Sequence, residues 1–405
     1  MASKGIQLKL MIGVGLPMPV VTEVAEALTS AQVTVSSGQR SGFQLTFTLG
    51  KNTKISDLLL PAGYFDPPNR VTLVVTVNGS SEVLMDGVIT RHEVNASSQP
   101  GQSTLTVTGE DLSALMDMVD ATGLRYPGMS LEVRTLLILA RYAGFGIIPK
   151  LIPSVLINVP NPLTRMESQQ GTDFAYVRYM AESVGYVFYI EPGPLPGMNF
   201  AYWGPEIKFG LPQKALTVNS DAHSNVDSMN FSFDGMSKKL VIYYVQPEPS
   251  TVSFPIPLPD ISPLNPPLGP KVPLPLKVEF MGRPPSREEE ERERIRRADM
   301  TAAQRQTEDE NRATARMPPV QATMIAMAKA GRSADVVQAS GQLDVLRYGR
   351  PLKARQLVGV RGAGPTYDGF YYVKSVTHNL KKGEYKQSFS LTRNALLPWS
   401  QKVPV

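Results

Sequence analysis

Between residues 247 and 285 the chain carries 13 prolines in 39 positions. Proline fixes φ and lacks an amide donor, so this stretch is expected to build neither helix nor sheet. It reads as an extended strap with a reach of up to about 120 Å at ~3.1 Å per residue. A charged segment follows. Ser286 and Glu289 have the spacing of a capping box, and Glu288/Arg292, Glu290/Arg294 and Glu293/Arg297 are i,i+4 pairs in the favourable order. Nine basic and nine acidic residues lie between 281 and 316, which argues against a basic nucleic-acid arm. The predicted helix is polar all round: exposed, docked on a partner, or disordered when alone. Residues 246–319 therefore read as an insertion that breaks a β-rich pattern.

That pattern is clear in residues 1–118. Phe43, Leu45, Phe47 and Leu49 alternate with Gln44, Thr46 and Thr48, so one face is buried and the other polar. Residues 71–77 and 82–88 flank Asn78-Gly79, a hairpin signal because both residues tolerate positive φ. Residues 91–94 and 103–108 add further strand, and a short helix over 111–119 closes the unit. Short strands with turns between them suggest a sandwich or barrel. Residues 119–214 change character. Ser130 is placed to cap a helix over 131–143 that Gly144 stops, and Thr172 to cap a second helix that ends at Gly185. Phe174, Val177, Met180, Ala181 and Val184 form its apolar stripe, which is core. Strand character returns over 215–245 and again over 320–405, where 370–380, the turn 381–383 and 384–392 form a second hairpin.

The two hairpins echo each other. Ile89-Thr-Arg-His-Glu-Val94 is similar to Ser375-Val-Thr-His-Asn-Leu380, which suggests two copies of one β-unit with His92 matched to His378. Neither histidine has ligand spacing around it, so both read as strand residues.

Composition limits the chemistry. The 405 residues include no Cys and only three His, namely His92, His223 and His378. Disulfide scaffolds, Cys-type zinc sites, iron–sulfur centres and Cys nucleophiles are excluded. No G-x-S-x-G, Walker loop or H-E-x-x-H is present. Gly359-Val-Arg-Gly-Ala-Gly364 has the wrong order for a dinucleotide loop and reads as a hairpin turn. Asp221 and His223 form a conceivable acid–base pair, with no nucleophile or orienting group nearby. We therefore expect no enzyme, with no catalytic, cofactor-binding or metal-binding residues. No apolar run is long enough to span a membrane. The N-terminal segment resembles a signal peptide, but Gly13, Gly15, Pro17 and Pro19 interrupt it. Charged residues make up 19%, below the roughly 25% usual for soluble domains, which suggests surface hidden in an assembly. Between 341 and 405, eleven Lys/Arg face three Asp/Glu. This basic excess suits a solvated face or an acidic partner better than nucleic acid, because stacking aromatics are not interleaved.

Tyr371-Tyr-Val-Lys-Ser-Val-Thr-His-Asn-Leu380 followed by Gly383-Glu-Tyr-Lys-Gln-Ser-Phe-Ser-Leu-Thr-Arg393 resembles the closing hairpin of phage late-control D proteins, the hubs of contractile tails related to the hub half of VgrG spikes. Thr172-Asp-Phe-Ala-Tyr-Val-Arg-Tyr-Met-Ala-Glu-Ser-Val-Gly-Tyr186 is similar to that family's helix-then-Gly-Tyr segment, and Gly42-Phe-Gln-Leu-Thr-Phe47 resembles its early strand. The resemblance implies a mainly β chain: two tail-tube-like β-barrels, a small α/β domain and a Pro-rich, helical insertion. The division would be a first barrel at 1–118, the α/β domain at 119–214, and a second barrel split into 215–245 and 320–405. It also implies a homotrimeric hub in the baseplate of a phage tail or injection particle, assembled in the bacterial cytoplasm. Six barrels would adapt a hexameric inner tube to a trimeric spike, alongside other baseplate components. The spike's OB-fold and needle are not read here, so the spike is expected as a separate chain. The alternative readings are a tail-associated cell-wall hydrolase and a carbohydrate- or peptide-binding β-module.

Overall fold

The computed structural model describes residues 5–50, 53–99, 102–154, 167–219, 224–245, 254–263, 265–281 and 319–399. The charged helix expected after residue 286 and the Asp221/His223 pair lie outside these residues.

The chain is mainly β, and its first unit is six strands: β1 (Ile6–Gly13), β3 (Leu28–Ser36), β4 (Gly42–Leu49), β5 (Arg70–Val77), β6 (Ser80–Asn95) and β7 (Ser103–Asp111). They lie in the order β3-β4-β7-β6-β5-β1, all antiparallel, with the two-residue β2 (Met18–Pro19) at the end. A short helix α1 (Thr22–Ala27) precedes β3. The alternation read in β4 is real: Phe43, Leu45, Phe47 and Leu49 are buried. Asn78 and Gly79 turn the β5–β6 hairpin with φ of 50° and 85°, the conformation that makes Asn-Gly favourable there. Residues 82–88 and 91–94, read as separate strands, are one long strand, β6, which continues through a bulge at Thr90. Helix α2 (Ser113–Asp117) closes the unit.

The second unit repeats the first. Strands β11 (Gln213–Thr217), β12 (Val226–Phe233), β16 (Val337–Asp344), β17 (Leu357–Arg361), β18 (Gly369–Lys381) and β19 (Glu384–Arg393) run in the order β12-β16-β19-β18-β17-β11. The detail matches as well as the order. β3 and β12 are both bulged at their second residue, Thr29 and Asp227. β6 and β18 are bulged at Thr90 and Lys374, and β5 and β17 leave them at Val88 and Tyr372. These landmarks correct the echo seen in the sequence. Thr90 aligns with Lys374, so His92 matches Val376, and Val94 matches His378. The units differ at their last strand, because β1 runs antiparallel to β5 whereas β11 runs parallel to β17. One apolar core spans both, from Val33, Phe47 and Leu73 to Val358, Tyr371 and Phe389.

Between the units sits a small α/β layer. Helix α3 (Leu131–Ala140) is capped by Ser130, and α4 (Asp173–Glu182) by Thr172, whose hydroxyl accepts from Ala175 N–H at 3.2 Å. After α3 the backbone makes one further turn, so the left-handed stop is Gly146 with φ of 78°, not Gly144. The helices pack on β8 (Ile147–Leu151), β10 (Asn199–Gly204) and β9 (Val187–Pro192), a mixed three-stranded sheet. Their core, centred on Trp203, Tyr126 and Met180, runs into Leu112 and Met116 beside the first unit.

The Pro-rich stretch departs from expectation. Residues 254–258 form β14 (Phe254–Leu258) and pair antiparallel with β13 (Lys239–Val245), while β15 (Lys277–Met281) pairs parallel on its other side. β14 is an edge strand. Pro255 and Pro257 occupy alternate positions, so their missing donors fall on the unpaired side and Phe254, Ile256 and Leu258 serve β13. Helix α5 (Pro319–Ser333) covers this small sheet, with Ala326 and Ala330 fully buried against Val241 and Tyr243. Residues 265–271 are tied to the end of the second unit. Asn394 accepts from Leu268 N–H at 2.8 Å and donates to Pro266 O at 2.9 Å, and Lys271 and Leu396 exchange backbone bonds.

Candidate assembly interface

The two β-units meet edge to edge. β17 covers only the first part of β18, up to Tyr372, and β3 takes the same side of β18 from Ser375 to Lys381. The junction is antiparallel, and Val33 faces His378 while Gln32 faces Asn379. The two sides of the sheet contribute differently. Outward, Gln32 Nε2 donates to Asn379 Oδ1 at 3.0 Å, and the Thr34 and Thr377 hydroxyls lie 3.2 Å apart. Inward, Ala31, Val33, Val376, His378 and Leu380 are buried. Period-two alternation fixes the register, since a slip by one residue would turn every apolar group outward.

His378 is therefore core. Its Nδ1 lies 2.6 Å from the Tyr385 hydroxyl and 3.1 Å from Gln387 Nε2, and burial pushes its pKa down to about 3. His92 is half-exposed beside Phe65 O at 3.2 Å. The structure does not bring the two histidines together.

Among the described residues, each unit leaves an edge open. β12 ends the sheet order, and residues 90–95 of β6 carry β7 on one side and no strand on the other among the described residues. Unpaired N–H and C=O groups in such edges are templates for pairing with another chain. Apolar surface accompanies them: Phe233 is 45% exposed and Val94 52%. A second apolar face lies on α3, where Val133, Leu136 and Leu137 point outward.

Part of the basic excess of the C-terminal region is met by acids elsewhere in the chain. Arg347 and Lys386 both reach Asp227, Lys353 reaches Glu82 at 3.3 Å, and Arg355 lies 3.6 Å from Glu191 over the Tyr189 ring. Lys382 Nζ donates to Glu26 O at 2.7 Å. Arg393 is fully buried and donates to the carbonyls of Asp368, Leu268 and Leu397. Spacing in sequence could not reveal the acidic partners, which lie more than a hundred residues away.

Among the described residues, no three acids or histidines converge as a metal would need, and no helix is long and apolar enough to cross a membrane. A mainly apolar cleft of about 580 Å³ opens between Tyr186, Pro259, Met324 and Met327, with Asn265 and Arg332 at its margin.

The fold resembles that of several solved proteins. A tail protein from Neisseria meningitidis MC58 superposes with a TM-score of 0.60 at 12% identity, covering 96% of this chain and 97% of the other. The fold is that of phage tail proteins. The 43 kDa tail protein of prophage MuSo2 from Shewanella oneidensis gives 0.58 at 13% identity, with coverage of 96% and 100%. A chain of the half-lidded Francisella PdpA–VgrG complex gives 0.53 at 9% identity, covering 99% of this chain and 60% of that one. No family model and no curated protein matches the sequence.

Proposed function

We propose that the protein is a structural, non-enzymatic hub of a contractile tail or injection-system baseplate, of the late-control D and VgrG-hub type. One observation carries this reading: the chain holds the same six-stranded unit twice, joined edge to edge, with an edge of each unit left open among the described residues. Three copies would supply six units. Such a ring has sixfold-like spacing for a hexameric inner tube on one side and true threefold symmetry for a trimeric spike on the other. The chemistry is interface complementarity, with sheet edges closed by neighbours. The likeness to tail proteins across nearly their whole length supports a tail role. The likeness to a chain of the PdpA–VgrG complex supports a spike-type protein among the partners. Assembly would take place in the bacterial cytoplasm, and the final location would be the baseplate.

The division into a first barrel (1–118), α/β domain (119–214), split second barrel (215–245 and 320–405) and insertion (246–319) belongs to the same proposal. Light scattering on the purified full chain, alone and mixed with spike protein, tests it. The expected result is a mass of three chains, with a central pore in averaged images. A single-chain mass in both samples overturns the reading.

A further inference from the structure

β12 holds in the second unit the place that β3 holds in the first: outermost, bulged at its second residue, and antiparallel to its inner neighbour. Residues 90–95 of β6 likewise hold the place of the outer part of β18, beginning at a bulge where the neighbouring strand has left. β3 and β18 are paired with each other within the chain. β12 and the outer part of β6 are the same two edges, and among the described residues both are open.

We propose that β12 of one copy adds antiparallel to the outer part of β6 in a second copy, in the register that β3 takes on β18. The proposal rests on the ring reading and names the edges through which the copies meet.

Transferring the β3–β18 register through the shared bulges sets Asp234 opposite Arg91, Phe233 opposite His92, Phe231 opposite Val94 and Asn230 opposite Asn95. The bulges alone fixed this alignment, and the side chains match independently of it. Asp234 and Arg91 are opposite charges, and a directly facing cross-strand pair of that kind is favourable where like charges are not. Asn230 and Asn95 replace the amide pair Gln32 and Asn379, which bond at 3.0 Å. Phe231 and Val94 replace Val33 and His378, which are 0% and 5% exposed inside the chain, whereas Val94 is 52% exposed. The pairing would cover that surface. A slip by one residue would set polar groups against the apolar row. The contact is head-to-tail, so it yields a closed ring only if the turn between copies equals the turn between units, and an open filament otherwise.

The chain has no cysteine, so introduced thiols are unambiguous. Facing residues of antiparallel strands have Cα atoms about 4.5–5.5 Å apart, within disulfide reach. Asn95→Cys combined with Asn230→Cys, oxidised after assembly and run under non-reducing denaturing conditions, is expected to give linked species of two and three chains that revert to one on reduction. Gln32→Cys with Asn379→Cys is expected to close within a single chain and calibrates the geometry. Arg91→Asp is expected to lower the trimer fraction at least several-fold, and adding Asp234→Arg to restore it. A trimeric mass without linkage in the N95C/N230C variant, while Q32C/N379C closes, overturns the edge assignment and leaves the ring reading standing. Linkage in N95C/F231C instead overturns the register. A single-chain mass for the unsubstituted protein overturns this proposal together with the ring reading.

Discussion

Arg70 grips Asp86 with two hydrogen bonds of 2.7 and 2.8 Å, and both side chains are almost wholly removed from solvent. The same carboxylate accepts from Asn199 Nδ2 at 2.9 Å and from Gly197 N–H at 3.2 Å. One acid therefore fastens the first β-unit to the α/β layer. Asp86→Ala leaves the Arg70 cation buried without its partner and is expected to cost about 3–5 kcal/mol. Denaturant titration of the pure protein checks this. A loss below about 1 kcal/mol would show that the cation finds water or another acceptor.

Stability is expected to fall as the medium is acidified, in part through His378. Burial lowers its folded pKa to about 3, while the unfolded chain titrates near 6.5. Between these values the unfolded state binds the extra proton, so stability rises with pH across that window and is lost progressively from about pH 6.5 downward. His378→Gln keeps a polar group near Tyr385 and removes this titration. The gap between wild-type and variant unfolding midpoints should change from pH 7 to pH 4. A gap independent of pH would show that His378 is not protonated on unfolding.

The edge strand β14 makes a sharper test than its composition suggests. Pro255 and Pro257 cost the sheet nothing because their nitrogens face away from β13. Ile256→Pro instead removes a donor that β13 uses, with an expected loss of about 1–3 kcal/mol. Replacing Pro255 and Pro257 together by Val should leave the unfolding midpoint nearly unchanged and raise self-association, since donors then line the open edge. Unfolding and light scattering read the two effects separately. Equal destabilisation by both substitutions would mean that the strand is not paired as described.

Exchange of residues 246–319 for a short Gly/Ser linker is expected to retain one cooperative transition at a lowered midpoint. The large sheet keeps its strand order without that segment, but Asn394 and Arg393 lose partners at Pro266 and Leu268, each worth about 1 kcal/mol. Circular dichroism during heating decides the matter. A chain that no longer folds would show that the segment is integral to the second unit.

What the sequence disclosed was local. Alternation in Phe43–Leu49, the Asn78-Gly79 turn, and the Ser130 and Thr172 caps each depend on a few neighbouring residues, and each is found in the structure. The unread features depend on distant partners. Thr90 carries no mark of a bulge, because a bulge is defined by the strand opposite. The histidine echo misled by two positions, since alternation fixes which face a residue takes but not its place along the strand. Pro255 and Pro257 read as sheet breakers because nothing nearby declares β14 an edge. The junction of β3 with β18 pairs Ser36 with Ser375, and no periodicity within either strand reports the other.

The two units differ in the direction of the outermost strand beside β5 and β17. In the proposed ring of alternating units, a component touching these outermost strands would therefore meet two kinds of foothold in turn. A component with three identical feet has one set of sites to choose, while a component with six must either tolerate both kinds or avoid these strands. In that proposed ring, the reversal of a single strand would be enough to give a pseudo-sixfold object a side that reads as threefold.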